Sequence, residues 1–267
     1  MTNRVVGALW KTVAGLSLSL GCLGPLPQAT AATISWGTAQ TISGDSDINT
    51  TGTLTYAFSM GTSAVAQTTV NGVTFLPFGI NAGFPPPTDV TVGDVTLAES
   101  PGNLFAYNTF GTATAPFSGL SSGYQSLVGT GAYADIPTTI DVTLAGLTPG
   151  QDYLVQWWTN NSANLTPILG GSFANTIADN PTGVTLDPNT TNQLGGVGQF
   201  AIGTFTADAT TQVFTLEASS GFSPLINGLQ VRAVPEPATY ILALAGLAAG
   251  GRVVWHRRNR ASRPPAA

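Results

Sequence analysis

The sequence predicts an all-β chain, a single antiparallel β-sandwich or jelly roll, followed by a C-terminal transmembrane helix. Three observations carry this. From Thr33 to Val234, short runs rich in Val, Ile, Thr, Phe and Tyr are punctuated by Gly, Pro, Asn and Asp, without a sustained helical period. The 267 residues are 43% hydrophobic and only 8% charged, enough apolar material for a sizeable core. The longest apolar runs lie at the two ends, outside this β-rich stretch.

The first element is an N-terminal secretory signal over residues 1–31. Arg4 and Lys11 precede the apolar run "VAGLSLSLGCLGPL", and the small residues Ala29 to Ala31 offer a signal peptidase site. Its removal takes away Cys22 and Lys11, the only Cys and the only Lys. The exported chain therefore has no disulfide, thiol nucleophile or Schiff-base lysine.

Nine strands are expected in residues 33–233, at "ATISWGTAQTI", "TGTLTYAFSM", "TTVNGVTFLPF", "DVTVGDVTLAE", "TTIDVTLAGL", "DYLVQWWTN", "GQFAIGTFTAD", "TQVFTLEAS" and "INGLQVRAV". Asn71-Gly72 tolerates the positive φ of a tight hairpin. Phe214, Leu216 and Ala218 alternate with Val213, Thr215 and Glu217, giving one apolar and one mixed face. "GFPPPTDV" reads as a rigid extended connection. "SGLSSGYQSLVGTGAY" reads as a loop with at most one helical turn, because its Gly and Ser content opposes a stable helix. The strand, Pro149-Gly150 turn, Tyr153 and second strand in "LAGLTPGQDYLVQWW" resemble an arrangement found in galactose-binding-like and fibronectin-like sandwiches.

Charge and histidine content restrict the chemistry. Residues 33–233 hold twelve acidic residues against one basic residue, Arg232, a formal charge of −11, which disfavours nucleic acid. The single histidine, His256, lies beyond the C-terminal apolar run, leaving none for a triad, a zinc site or acid–base work. Glu99, Glu217 and ten Asp leave a carboxylate-based glycosidase as the enzymatic alternative. No catalytic residue is assigned and no cofactor is required. Asp45, Asp47 and Asn49 in "SGDSDINTTG" form a weak calcium candidate, which lacks the Gly and Glu of an EF-hand loop. Trp157 and Trp158 are adjacent on one strand and must point to opposite faces. One of them is the candidate for stacking on a sugar ring, unless a loop or neighbouring strand covers it. Sequons at Asn49, Asn160, Asn164 and Asn189 hint at surface loops.

The tail, residues 234–263, has three parts. Pro235, Glu236 and Pro237 come first, then an apolar run from Ala238, then an arginine-rich end. Residues 238–255 would form a helix of about 27 Å, just short of the roughly 30 Å hydrocarbon core. Arg252, Arg257, Arg258 and Arg260 stop the span and place the C-terminus in the cytoplasm before processing. In order and character this tail resembles the PEP-CTERM sorting signals of Gram-negative bacteria. The resemblance implies recognition of Pro235-Glu236-Pro237 by the membrane enzyme exosortase, with membrane contact through the C-terminal helix. It also implies export across the inner membrane and a mature form at the cell surface or outside it, in a setting of exopolysaccharide and biofilm. The expected role is a non-catalytic module that binds polysaccharide or matrix. A self-associating structural surface protein is the further alternative.

Overall fold

The computed structural model describes residues 32–235 apart from 82, 100–101, 136–137, 167–171, 174, 180–182 and 219–221. The signal at 1–31, Glu236, Pro237, the helix predicted at 238–255 and the arginine-rich end lie outside the described residues. Among those described, no helix is long and apolar enough to cross a membrane.

In chain order the first strands are β1 (Ser35–Trp36), β2 (Gln40–Thr41), β3 (Thr53–Thr62), β4 (Thr68–Val70) and β5 (Val73–Ile80). Next come β6 (Asp89–Val92), β7 (Val95–Glu99), β8 (Leu104–Tyr107), β9 (Gly131–Ala134), β10 (Thr139–Leu144) and β11 (Asp152–Thr159). The last are β12 (Ser172–Phe173), β13 (Thr176–Ala178), β14 (Val184–Leu186), β15 (Gln199–Thr206), β16 (Gln212–Ala218), β17 (Phe222–Ser223), β18 (Leu225–Ile226) and β19 (Gly228–Val234). Each of the nine expected strand segments contains one or two of these.

The largest sheet runs β1-β15-β11-β19-β3-β5-β4, with β2 also paired to β15. A second sheet runs β14-β13-β16-β10-β7-β6, and β18-β9-β8 form a smaller third. Alternation explains how the first two pack. Tyr153, Val155 and Trp157 of β11 and Leu229 and Val231 of β19 face Val95, Leu97, Ile140, Val142, Phe214 and Leu216 of the second sheet, and together they form the main core.

The expected antiparallel pairing holds for most strands but not for β3 with β5 or for the two-stranded β12-β17 sheet, which are parallel. The Asn71-Gly72 hairpin forms as predicted, with φ of 48° and 75°, and it pairs β4 with β5 antiparallel. Residues 63–67, however, carry β4 past the position beside β3, and β5 enters between them in the same direction as β3. Pro77 is tolerated there because β4 pairs only with residues 73–75, so its missing N–H removes no bond on that side.

The segment expected to be a loop contains a short helix, α1 (Ser122–Val128). The Ser121 hydroxyl caps it by accepting from Tyr124 N, and Tyr124, Leu127 and Val128 are buried against the sheet. Packing overrides the weak propensity of its Ser and Gly residues. Together with Phe117, Ile42, Ile48 and Val197, α1 builds a third layer over the outer face of the large sheet. The architecture is thus a sandwich with a covering layer.

Candidate functional site

The covering layer decides the fate of the tryptophan pair. Trp157 and Trp158 do point to opposite faces, but both are fully buried. Trp157 lies in the main core, edge-on to Trp36 with ring centroids 6.5 Å apart. Trp158 lies under α1, edge-on to Phe75. Stacking on a sugar is therefore corrected for both residues, since neither indole presents a face to solvent.

The indole N–H of Trp158 donates to the Tyr124 hydroxyl at 3.0 Å, and that hydroxyl donates to Asp47 Oδ2 at 3.0 Å. Burial, reinforced by the Asp47 carboxylate, pushes the Tyr124 phenol well above its ordinary value. Asp47 also accepts from Ser43 N at 2.7 Å, the Ser43 hydroxyl at 2.6 Å and Gly44 N at 3.0 Å. Asp45 accepts from the Ser121 hydroxyl at 2.6 Å, and Asn49 accepts from Thr51 N at 2.8 Å. The structure holds the weak calcium candidate in a tied-down turn in which the Asp47 carboxylate serves four protein donors and the side chains of Asp45 and Asn49 one each. Among the described residues no group of three His, Cys, Asp or Glu side chains is placed to hold a metal.

The same segment is held from below by residues that sequence reasoning passed over. Gln156 Oε1 accepts from Asn49 N at 3.0 Å and from Gln230 Nε2 at 2.6 Å, while Gln156 Nε2 donates to the Asp47 carbonyl at 2.7 Å. Arg232, 7% exposed, donates to the carbonyls of Thr51 at 2.8 Å, Thr50 at 3.1 Å and Gly52 at 2.9 Å. Gly52 has a φ of 77°, and a Cβ there would lie 2.3 Å from the Ala233 carbonyl oxygen. The signal for Arg232 was its being the one basic residue in an acidic region. The sequons mislead in part, since Asn160 and Asn189 are buried and only Asn164 is fully exposed.

The two glutamates do not form a catalytic pair. Ile140 pairs with both Glu99 and Leu216, so Glu99 shares their core-facing side. Glu217 pairs with Thr139 and projects to the opposite face. Glu99 is 4% exposed, with Oε1 accepting from Asp135 N at 3.2 Å and Oε2 without a hydrogen-bond partner among the described residues. Burial pushes its carboxyl up to about 7; the Asp135 charge adds to this and hydrogen bonding from Thr138 opposes it.

A cleft of about 710 Å³ opens between α1 and the loop segments around 64–66 and 108–113. Its lining is uncharged and includes the hydroxyls of Thr112, Ser122, Ser126 and Thr130 and the amides of Asn108 and Gln125. The Asn108 amide braces the rim, accepting from Thr62 N at 2.9 Å and donating to the Thr62 hydroxyl at 2.7 Å.

Comparison with known proteins gives a family match at the C-terminal end. No curated protein matches the sequence. The enzymatically active domain of tailspike protein 4 from bacteriophage CBA120 aligns at 12% identity over 54% of this chain, with a TM-score of 0.30. The aligned part spans only 20% of the tailspike chain. Residues 233–258, by contrast, match the family model of the PEP-CTERM protein-sorting motif. The chain thus carries at its C-terminal end the motif of proteins that are exported, processed by exosortase and sorted to the cell surface.

Proposed function

We propose that the β-rich region is a non-catalytic binding module which, once sorted to the surface, holds neutral glycan of the extracellular matrix in the cleft beside α1. The single observation that carries this is the uncharged, hydroxyl- and amide-lined cleft on a region whose formal charge is −11. Such a field repels polyanions but leaves neutral polyols free to approach, and the cleft offers the mixed donors and acceptors that sugar hydroxyls match. Exopolysaccharide and biofilm are the setting we propose for it. The test is a panel of neutral glycans titrated against the exported protein and against Ser126→Trp and Ala66→Trp, two exposed lining positions. Binding weakened at least tenfold in both variants is expected. Absence of wild-type binding to every neutral glycan, or binding unchanged in both variants, overturns the reading.

A second reading, glycoside cleavage, is favoured by one observation. Glu99, with its carboxyl near 7, sits beside Asp135 as a proton donor sits beside a charged partner. Sugar release by wild type that disappears in Glu99→Gln would favour it over the first.

A further inference from the structure

The sorting motif begins inside the fold. The match to the motif starts at Ala233, and β19 extends to Val234, so two residues belong to both strand and motif. Val234 pairs with Asp152 of β11, and its carbonyl accepts from Gln151 Nε2 at 2.6 Å. β19 lies inside the large sheet with β11 on one edge and β3 on the other. It can yield little slack, because Arg232 is tied to the carbonyls of Thr50, Thr51 and Gly52. From Val234 to Ala238, where the apolar run begins, the chain spans at most about 14 Å when fully extended. That gap is little wider than one helix with its side chains, about 10–12 Å.

An enzyme working on Pro235-Glu236-Pro237 at the membrane therefore meets the folded region at close quarters, and registers define the end that it meets. β11 begins, and β15 and β19 end, at the Asp152, Thr206 and Val234 level. The second sheet is tied to the same end by Gly150 N to Ala207 O at 2.6 Å and Leu147 N to Thr210 O at 3.1 Å. A groove of about 340 Å³ lies beside the root of the motif, lined by Asp152, Tyr153, Thr204, Phe205, Thr206 and Val234. Asp94 and Asp208 are exposed at this end, and the one basic residue of the region, Arg232, is buried beneath the 50–52 segment.

We propose that this acidic pole is part of the surface read by the sorting enzyme, with a basic segment of exosortase seated in the Asp152–Thr206 groove while its active site handles the motif. The at most about 14 Å of chain between Val234 and the apolar run keeps the enzyme within reach of this end, and charge complementarity selects a cationic occupant. The test follows release of the tail by intact mass, using the full chain in a host with active exosortase. Asp208→Arg and Thr204→Trp change exposed positions of the pole, and Asp89→Arg changes an exposed position at the opposite end of the sandwich. Variants are compared only where the exported protein melts within two or three degrees of wild type, about the scatter of a neutral surface change. The pole variants are expected to slow release at least fivefold while Asp89→Arg leaves it unchanged. A flexible Gly-Ser spacer of about twelve residues between Val234 and Pro235 should restore normal release in the pole variants. Release at the wild-type rate in both pole variants overturns the proposal, as does slowing that persists with the spacer in place.

Discussion

At the scale of single residues, the molecule uses its few charges to hold backbone. Arg232 has no role as a surface cation, because its guanidinium donates to three consecutive carbonyls of the 50–52 segment. Asp47 is its counterpart, an acceptor for two backbone N–H groups and two hydroxyls. An ionised carboxylate with several donors contributes more than a neutral hydrogen bond, and its removal strands the donors around it. Asp47→Ala is therefore expected to lower unfolding stability by about 3 kcal/mol, measured by urea denaturation. If the turn is held by protein donors alone, the wild-type melting temperature will be the same in calcium and in chelator. A calcium-dependent rise that Asp47→Ala abolishes would revive Asp45, Asp47 and Asn49 as a metal site.

At the scale of elements, tertiary context reverses two local preferences. The segment forming α1 has the composition of a loop, but three of its seven residues are buried and Ser121 caps its first turn. The Ser121 hydroxyl also donates to Asp45, so it links the helix to the 45–47 turn. Ser121→Ala should cost about 1–2 kcal/mol, the value of a lost cap with one further hydrogen bond. Amide exchange should reveal the loss first in residues 122–128; protection there equal to wild type would count against the cap. The other reversal is β5, where a hairpin-forming sequence also supplies a parallel partner for β3. Hairpin signals are local, whereas the second partner of a strand depends on the route the preceding chain takes.

At the scale of the whole molecule, two ends of the sandwich differ in chemistry. One end roots the sorting motif, and the other holds Glu99 and Asp135. Glu99 titrates near 7 in the fold against an ordinary value of 4.5. Between those values the folded chain keeps a proton that the unfolded chain has released. The group's contribution is then fully present below about pH 4.5 and is lost as pH rises through 7. Relative to Glu99→Gln, wild-type stability should fall by about 1–2 kcal/mol between pH 5 and 7.5. This is less than the full shift would convert to, because part of the shift lies below pH 5. Parallel pH profiles for the two proteins would show that Glu99 is not perturbed.

What the sequence determined by itself is what depends on neighbours along the chain. Apolar runs with flanking charge marked the two ends, period-two alternation marked strands, and Asn71-Gly72 marked a hairpin. The adjacency of Trp157 and Trp158 required that their faces differ. Only the tertiary structure decided what covers each face. Trp158 is buried because Tyr124 and Phe117, remote in sequence, return over the sheet. Arg232 is structural because its carbonyl partners lie 180 to 182 residues away. Glu99 and Glu217 fail to pair because the registers on β10 turn them to opposite faces. Periodicity fixes the direction of a side chain relative to its own strand, but burial and partnership depend on which distant segments the sheet order brings alongside.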